Sequence, residues 1–501
     1  MKRIRRLLLL CVLTACLTLT AAEAVEFDGY LALLDMDAPV SLLSASEPDF
    51  PDMTEVYAPA GVYQVEDAAA LEALRECGAL ISAEPNYIVT LDDISGAASD
   101  NPDGATLLDA SEAQWYDAPL ELEWVRARGF RGEGVRVGIV DSGIFAAHEE
   151  FQGVRVLAGA NYCVKENDPA RNDISDSYGH GTFVSGLIAA AENGAGLVGI
   201  APAVELVPLK CFEGKSGSVA NIASAIYDAV DTWHCQVLNL SLGLERDSSV
   251  LRSAVEYADR AGVVMVAAAG NTHSQSQGDA LNYPAAYDGV IGVGATDSDL
   301  SVSSFSQRNQ SVEIVAPGRA LRGPSPSDPT GYVTGYGTSY ASPMVAAAAA
   351  LAMAARPGLT KAEVRELLTH TVRDAGEPGY DTSYGYGILH AGHLLAAATG
   401  NLLHQTEVIR QEFADANGVT SGLFAAAYDA DGAYLAARDA LPLASAEGEP
   451  NATPILTAAN DISAQTFQVP GAASWKLFPF NRATLVPLGA SVTLYGPLAD
   501  K

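Results

Sequence analysis

The sequence predicts an α/β protein with three layers, in which helices cover both faces of a mainly parallel sheet. From Val135 onward, short apolar runs alternate with helical segments. Strands that are apolar at every residue are typical of parallel sheets, because both faces of such a sheet are buried. The candidate strands are residues 135–140, 204–210, 236–241 and 263–268, and the helices between them are residues 181–191, 219–233 and 249–261.

A small α+β unit is expected before this region. Strand-like runs at residues 61–65 and 87–91 flank a helical segment at 68–76, which Gly78 is suited to end. The unit spans residues 25–91. Residues 92–113 are rich in Asp, Ser, Ala and Gly and have little periodicity, which favours an exposed, cleavable linker.

A small β domain is expected after the central region, over residues 399–501. Two strand-like runs on either side of Asp431-Gly432 predict a hairpin, since Asp-Gly is a strong hairpin signal. The strand-like runs are residues 424–428, 434–437, 475–480 and 491–495. The central domain is therefore assigned to residues 114–398.

The first 24 residues have the pattern of a secretory signal peptide. A basic start is followed by an apolar run and by the small residues Ala22 and Ala24, so cleavage is expected after Ala24 and the protein is expected to be secreted. An alternative is a lipid anchor, because residues 13–16 resemble a bacterial lipobox ending at Cys16. The Ala-rich stretch at 345–355 is too short to span a membrane and is expected to be a buried helix.

Composition excludes some classes of partner and fold. The net charge of -32 would repel a phosphate backbone and an anionic membrane surface, so nucleic acid is not expected as a partner. Cys163, Cys211 and Cys235 are the cysteines that remain beyond the first unit, so at most one internal disulfide is possible there. None of them lies in a CxxC or Cys/His spacing, which argues against structural zinc.

Three segments carry the residues of a nucleophilic hydrolase. Asp141 follows an apolar run, His180 opens a helix in Gly179-His180-Gly181-Thr182, and Ser339 lies in a glycine-rich turn before the Ala-rich helix. A serine attacks a peptide bond when a histidine accepts its proton and a carboxylate orients that histidine. Taken alone, each residue also suits a helix cap or a turn. The positive end of a helix dipole beside Ser339 would favour negative charge on the attacked carbonyl.

These segments resemble the three signature blocks of the subtilisin family, in that family's chain order of Asp, His and Ser. The resemblance covers about residues 114–398 and implies a subtilisin-like fold and a serine endopeptidase that acts on proteins or peptides. It implies that Asn271, in Ala267-Ala268-Ala269-Gly270-Asn271, donates to the oxyanion. It also implies that extended substrates pair with the backbone of the strand segment Leu240-Ser241-Leu242-Gly243. The substrate-binding residues are therefore expected to be Ser241, Leu242, Gly243, Ala269 and Gly270.

The resemblance also implies a calcium site and a self-processing precursor. The calcium ligands would be Gln114, Glu150, Ala191, Asn193, Ala195 and Leu197; a polar loop without metal is the alternative. Glu84-Pro85-Asn86-Tyr87-Ile88-Val89 resembles the family's inhibitor-type propeptide, which would assist the slow folding of a large parallel sheet and block the cleft until it is cut between Leu91 and Gln114.

The sequence departs from the family near the primary pocket and after the nucleophile. Asn282 stands before Tyr283-Pro284 where many relatives have glycine, which puts the depth of the pocket in doubt. Tyr340 follows Ser339 where relatives more often have methionine. Methionine oxidises to a polar sulfoxide, so tolerance of peroxide is expected.

Two other functions fit parts of the sequence. Gly337-Thr338-Ser339-Tyr340-Ala341 approximates the nucleophile elbow of lipase-type hydrolases, with Asp374 or Asp381 and His390 or His393 following, although Ala341 replaces the second glycine. The chain could also be a catalytically silent binding or adhesion protein on a protease scaffold. The presence of Asp141, His180, Asn271 and Ser339 argues against that reading.

Overall fold

A computed structural model describes residues 27–35, 53–76, 78–91, 114–273, 280–402, 404–406, 408–409, 421–428, 434–437, 472, 474–481 and 492–495. The chain divides into two compact units, Met1–Ile88 and Val89–Lys501. The expected signal peptide, Cys16 and the linker at 92–113 lie outside the described residues.

The first unit has the expected α+β composition. An antiparallel sheet in the order β2-β3-β1-β4 packs against helix α1, whose Leu71 and Leu74 contact the apolar face of the sheet. The helix has the predicted bounds, and Gly78 follows it with a positive φ of 77°. The elements are β1 (Phe27–Leu34), β2 (Met53–Tyr57), β3 (Val62–Val65), α1 (Ala68–Glu76) and β4 (Leu80–Thr90).

The second unit is built on a parallel sheet, as predicted. Its strands lie in the order β14-β13-β12-β11-β5-β8-β6, with β7 also paired to β8, and each of these pairs is parallel. The strands are β5 (Arg136–Asp141), β6 (Arg155–Val156), β7 (Ala160–Asn161), β8 (Glu205–Lys210), β11 (Val237–Leu240), β12 (Val264–Ala268), β13 (Val290–Thr296) and β14 (Ile314–Pro317).

Helices cover this sheet, which confirms the three-layer α/β prediction. Helix α6 packs across β11 to β14, and its residues from Thr338 to Leu351 are buried. The helices are α2 (Leu122–Ala127), α3 (His180–Ala189), α4 (Val219–Asp231), α5 (Ser249–Arg260), α6 (Thr338–Ala355), α7 (Lys361–His370) and α8 (Ala391–Ala398). By length and composition α6 could cross a membrane, but its burial among the other layers is that of a core helix.

Short hairpins and a second antiparallel sheet complete the described elements. Strands β9 (Phe212–Glu213) and β10 (Ser216–Ser218) form one hairpin, and β15 (Leu321–Pro324) and β16 (Tyr332–Gly335) form another. Near the carboxyl end, a four-stranded sheet has the order β18-β17-β19-β20 and agrees with the predicted strands. These are β17 (Ser421–Tyr428), β18 (Tyr434–Ala437), β19 (Ser474–Asn481) and β20 (Val492–Leu494).

The sheet order positions the functional residues. Strand β5 lies between β8 on one side and β11 on the other, so the order of the strands reverses beside it. Parallel sheets of this kind hold their sites where such a reversal occurs, at the carboxyl ends of the strands. Asp141 is the last residue of β5, and Ser241 directly follows β11.

Candidate functional site

Asp141 and His180 form a buried pair at the carboxyl end of β5. The His180 Nδ1 atom lies 2.8 Å from Asp141 Oδ1 and 2.9 Å from Asp141 Oδ2. Both side chains are fully buried. Ser142 also holds the carboxylate, because its backbone N–H donates to Asp141 Oδ1 at 2.7 Å. A buried carboxylate at this distance fixes the orientation of the imidazole ring.

Two glycines let helix α3 approach β5 closely enough for this contact. A Cβ atom at Gly181 would lie 2.2 Å from the carbonyl oxygen of Gly143. Gly143 itself has a positive φ of 111°, a conformation that favours glycine. Any larger residue at position 181 would push His180 away from Asp141.

Asp176 anchors the amino-terminal turn of α3 and was missed in the sequence. Its carboxylate accepts hydrogen bonds from the backbone N–H groups of Gly179 at 2.7 Å and Thr182 at 2.9 Å, and from the Thr182 hydroxyl at 2.6 Å. These are N–H groups that the first turn of a helix leaves without partners. An aspartate shortly before a predicted helix start is the sequence signal that could have found it.

Ser339 lies in the first turn of α6, where hydrogen bonds from residues in and directly after β11 hold that turn in place. Pro343 has no N–H, so the Ser339 carbonyl loses its usual partner four residues on. The Ser241 hydroxyl donates to that carbonyl at 2.6 Å instead. Asn239 completes the link, since its Nδ2 donates to Ser241 Oγ and its Oδ1 accepts from Ser342 Oγ, both at 2.8 Å.

The first turn of α6 also lies beside α3. The ring of Tyr340, the residue after Ser339, has its centroid 5.4 Å from the His180 ring and 4.2 Å from the Phe183 ring. The structure therefore brings the three predicted segments together, although they are remote along the chain.

Asn271 follows β12 and is oriented by the turn before Ser339. Its Oδ1 accepts from the Thr338 N–H at 2.8 Å and from the Thr338 hydroxyl at 3.0 Å. The same hydroxyl accepts from the Gly270 N–H at 3.1 Å. Because the amide oxygen of Asn271 faces Thr338, the amide N–H groups are left to donate hydrogen bonds to an oxyanion. Thr338 was not singled out in the sequence.

A cavity of about 140 Å³ adjoins Ser339 and Asn271. Of the predicted substrate-binding residues, Ser241, Leu242, Gly243 and Gly270 line it. Ala269 does not; it is fully buried, and its N–H donates to the Val293 carbonyl at 3.0 Å. Other lining residues are Thr90, Leu91, Glu245, Thr272, Asn282, Gln307 and Thr338.

The predicted calcium ligands converge on one loop. Leu197 N–H donates to Glu150 Oε1 at 2.7 Å, and Val198 N–H donates to Gln114 Oε1 at 3.1 Å. Asn193 Oδ1 accepts from Ala195 N–H at 2.9 Å, and the Ala191 carbonyl accepts from Asn193 N–H at 2.9 Å. All six residues thus lie within this loop or at its contacts.

One buried oxygen in this loop fits a cation. Glu150 is fully buried, and its Oε2 has no hydrogen-bond partner within the described part of the chain. Burial raises the pKa of the Glu150 carboxyl, which marks a carboxylate that lacks compensation when it is charged. A single carboxylate among carbonyl and amide oxygens suits calcium, a hard cation with flexible coordination. No group of three or more His, Cys, Asp or Glu suited to a metal occurs among the described residues.

The acidic residues of the lipase-type reading have other partners. Asp381 accepts from the backbone N–H groups of Ser383 at 2.7 Å and Glu377 at 3.1 Å, and Asp374 accepts from Gly379 N–H at 3.0 Å. Both carboxylates thus organise their own loop. The carboxylate–histidine pair beside the helix that carries the serine is Asp141 with His180.

Comparison with known proteins agrees with this arrangement. Residues 132–387, which include Asp141, His180, Asn271 and Ser339, match the family model described as Subtilase family. The chain is 39% identical to subtilisin DY of Bacillus licheniformis over 277 residues, 55% of this chain and 96% of the relative. It is 37% identical over 281 residues to a thermostable alkaline protease of Halalkalibacterium halodurans, 56% of this chain and 72% of the relative. It is 31% identical over 333 residues to minor extracellular protease Epr of Bacillus subtilis, 65% of this chain and 49% of the relative. The chain belongs to the subtilase family and is a serine peptidase.

Proposed function

We propose that this protein is a secreted serine endopeptidase that cleaves peptide bonds through an acyl-enzyme on Ser339 and is made as a self-processing precursor. The buried contact between His180 Nδ1 and Asp141 is the single observation that carries the proposal. A carboxylate placed there is costly to bury unless it stabilises a neighbouring positive charge. The proposed chemistry creates that charge on the imidazole.

The proposed reaction proceeds in two stages. The His180 Nε2 atom accepts the proton of the Ser339 hydroxyl as Oγ attacks the peptide carbonyl, and the imidazolium then gives that proton to the departing amine. Water, deprotonated by the same nitrogen, hydrolyses the resulting ester and restores Ser339. Asp141 holds the ring throughout and stabilises the positive charge that forms on it. Asn271 Nδ2 and the amino-terminal end of α6 stabilise the oxyanion in both stages.

Labelling with a fluorophosphonate tests the nucleophile. The Ser339 oxygen would displace fluoride at phosphorus, so wild type should be labelled and Ser339→Ala should not. Ser327→Ala, which changes an exposed serine that does not line the cavity, is the matched control and should be labelled like wild type. Equal labelling of Ser339→Ala would exclude the proposed nucleophile, and a wild type that resists labelling would favour the binding or adhesion reading.

Self-processing is supported by two residues of the chain that line the cavity. Thr90 and Leu91, at the start of the second unit, line the cavity beside Ser339, and Leu91 N–H donates to the Lys215 carbonyl at 2.9 Å. Lys215 lies in the turn between β9 and β10, so Leu91 bonds to this hairpin through its backbone, as peptides do when they bind by β-augmentation. We therefore propose that the cut, expected between Leu91 and Gln114, lies within the first few residues after Leu91, with residues 25–91 as the inhibitor.

Expression of wild type and Ser339→Ala side by side tests this step. Amino-terminal sequencing and intact mass should show trimming shortly after Leu91 in wild type only. Trimming of both proteins at the same bond would mean that another protease makes the cut. The same samples locate the protein: recovery from the medium with residues 1–24 removed supports secretion, whereas a lipid on Cys16 supports the anchored alternative.

The loop around Glu150 is proposed to hold a structural calcium ion. Glu150, Asn193 and Gln114 would supply side-chain oxygens, and Ala191, Ala195 and Leu197 would supply carbonyls. A bound calcium ion would supply positive charge to the orphaned Glu150 Oε2 and tie the loop together. It takes no part in the chemistry at Ser339.

A further inference from the structure

Two side-chain amides in the cavity beside Ser339 are oriented by their partners. Asn282 Nδ2 donates to the Ala268 carbonyl at 3.0 Å. A backbone carbonyl can only accept, so the nitrogen must face Ala268 and the oxygen must face the other way. The Asn282 amide therefore presents its oxygen, an acceptor, on the side away from Ala268.

Gln307 is oriented in the same sense by a chain of hydrogen bonds. The Thr272 hydroxyl donates its only hydrogen to Glu245 Oε1 at 2.8 Å, so it can only accept from Gln307, whose Nε2 lies 2.7 Å away. Gln307 is 1% exposed, and its Oε1 has no hydrogen-bond partner among the described residues. A buried carbonyl oxygen without a partner costs about 1–3 kcal/mol, which a suitable donor would recover.

Asn282 also limits the depth of the cavity. Its side chain fills the space between the two walls, since a Cβ at Gly243 would lie 1.9 Å from Asn282 Nδ2 and 2.5 Å from its Oδ1. On the opposite wall, a Cβ at Gly270 would lie 3.3 Å from Asn282 Cβ and 3.0 Å from Gln307 Cγ. A large aromatic ring would have to displace this amide.

We propose that this cavity selects substrates with a short, neutral, hydrogen-bond-donating side chain, asparagine above all, at the residue before the cleaved bond. The inference rests on the proposed function, because that residue is the one whose carbonyl Ser339 would attack. A primary amide brings two hydrogens to a cavity lined by Asn282 and Gln307, whose amide oxygens face away from the partners of their nitrogens. A lysine ammonium placed beside the two buried amides would leave water without gaining a charged partner there, because Glu245, the carboxylate that lines the cavity, is exposed and accepts from Thr272.

A set of fluorogenic peptides that differ only in this residue tests the proposal. The mature enzyme is titrated with the fluorophosphonate, and kcat/KM per active site is measured for Asn, Gln, Ser, Ala, Leu, Phe and Lys. We expect Asn to exceed Phe, Leu and Lys by at least about tenfold, since sites built around hydrogen bonds reject analogues that lack them. Equal or faster cleavage after Phe, Leu or Lys would overturn the proposal.

Two variants separate the size limit from the polarity. Asn282→Gly should raise kcat/KM for the Phe peptide and lower it for Asn, shifting their ratio at least about tenfold. Gln307→Met should lower kcat/KM for Asn but leave the Phe value nearly unchanged, because the pocket stays short. Asn172→Gly, at an exposed position outside the cavity, should keep the wild-type ratios. Unchanged ratios in both Asn282→Gly and Gln307→Met would also overturn the proposal.

The failure of the specificity proposal and that of the proposed function look different. A protein that is labelled at Ser339 and cleaves peptides without preferring Asn is an endopeptidase with another specificity. A protein that is folded but is neither labelled nor cleaves any peptide contradicts the endopeptidase itself.

Discussion

Asn271 shows how a catalytic side chain depends on a neighbour that has no chemical role of its own. Thr338 takes both contacts of the Asn271 oxygen, at 2.8 and 3.0 Å, and so decides which end of the amide can reach an oxyanion. Preorganised donors of this kind need no rearrangement as charge develops. The orientation comes from the turn before Ser339, so it is a property of two segments together.

Replacement of Asn271 by alanine should lower kcat by roughly a hundredfold to a thousandfold, which is the usual loss for one oxyanion donor. KM should change little, because the donor acts on the transition state more than on the bound substrate. Steady-state kinetics on one peptide substrate measure both. Thr338→Ser, which keeps the hydroxyl, is the control and should retain most of the activity. If Asn271→Ala raised KM and left kcat unchanged, Asn271 would instead be a substrate-binding residue.

Tyr340 should make the enzyme tolerant of peroxide. Tyr340 is 2% exposed, and its ring packs against Phe183 and His180. Peroxide oxidises the thioether of methionine to a polar sulfoxide, and the phenol of tyrosine does not undergo this reaction. We expect Tyr340→Met to lose activity during exposure to hydrogen peroxide while wild type keeps most of it. Met344 is buried in both proteins and serves as an internal comparison by peptide mass spectrometry. Inactivation of wild type at the rate of the variant would contradict the prediction.

The site residues could be predicted where the reaction requires one residue type. They were harder to predict where the role of a residue depends on which side chains the fold brings next to it. Asp141, His180, Asn271 and Ser339 each lie in a short motif, and the structure brings their segments together. Asp176 acts locally, on the first turn of the helix that follows it, and its position before a predicted helix start is a signal in the sequence. Thr338 and Gln307 act on residues that are remote along the chain. Ordinary threonines and glutamines give no local signal of such contacts, so the sequence could not single them out.

At the scale of elements, strong periodicity located the central strands and helices to within about two residues, the usual uncertainty of an element boundary. Strand β13 was not predicted, and its glycines explain why. A Cβ at Gly292 would lie 1.9 Å from the Ser311 carbonyl oxygen, so glycine is needed where that backbone crosses the strand. Glycine weakens a strand signal in sequence. Parallel pairing with β12 and β14 supplies the stability that the local sequence lacks.

The loop around Glu150 should couple calcium to thermal stability. Removing calcium with a chelator should lower the Tm of the Ser339→Ala protein by several degrees, and excess calcium should restore it. A ligand present at a hundred times its Kd adds about 2.7 kcal/mol to stability. The Ser339→Ala background prevents autolysis, so calorimetry reports unfolding alone.

Replacing one calcium ligand should reduce the change in Tm that calcium produces. Asn193→Ala in the same background removes a side-chain oxygen from the loop and should shrink the shift in Tm between chelator and calcium. Asn172→Ala, at an exposed position outside the loop, should keep the full shift. Identical melting of the Ser339→Ala protein in chelator and in calcium would remove the proposed ion.

At the scale of the whole molecule, a buried histidine cluster lies where the central domain meets the carboxyl-terminal sheet. His404 Nε2 lies 2.8 Å from Glu121 Oε2, and its ring stacks on Trp124 with centroids 3.8 Å apart. His390 and His393, on α8, have ring centroids 6.1 Å apart. Leu402 and Ile409 continue into a core with Trp475, Leu477 and Leu494 of the carboxyl-terminal sheet.

Burial makes two of these histidines poor bases. Burial, with His404 nearby, lowers the pKa of His393 to about 3, and burial lowers the pKa of His390 well below its ordinary value. Each histidine is therefore neutral in the folded protein over a range in which the unfolded chain binds a proton. Between pH 6.5 and about 3 the unfolded state binds more protons, so stability falls as the pH falls.

The free energy of unfolding should therefore decrease on acidification below about pH 6.5, by about 1.4 kcal/mol per pH unit for each such histidine. Urea unfolding of the Ser339→Ala protein at several pH values between 7.5 and 4 measures this slope. His393→Gln in the same background lacks one titrating group, so the slope of its unfolding free energy against pH should be smaller by up to the contribution of one histidine. The carboxyl groups are common to both proteins, so their contributions cancel in the comparison. His234→Gln, at an exposed position away from the cluster, should keep the parent slope. If His393→Gln showed the same slope as its parent, His393 would have to be protonated, or freely accessible to protons, in the folded protein. In that case, burial of the histidine cluster would not explain a loss of stability at low pH.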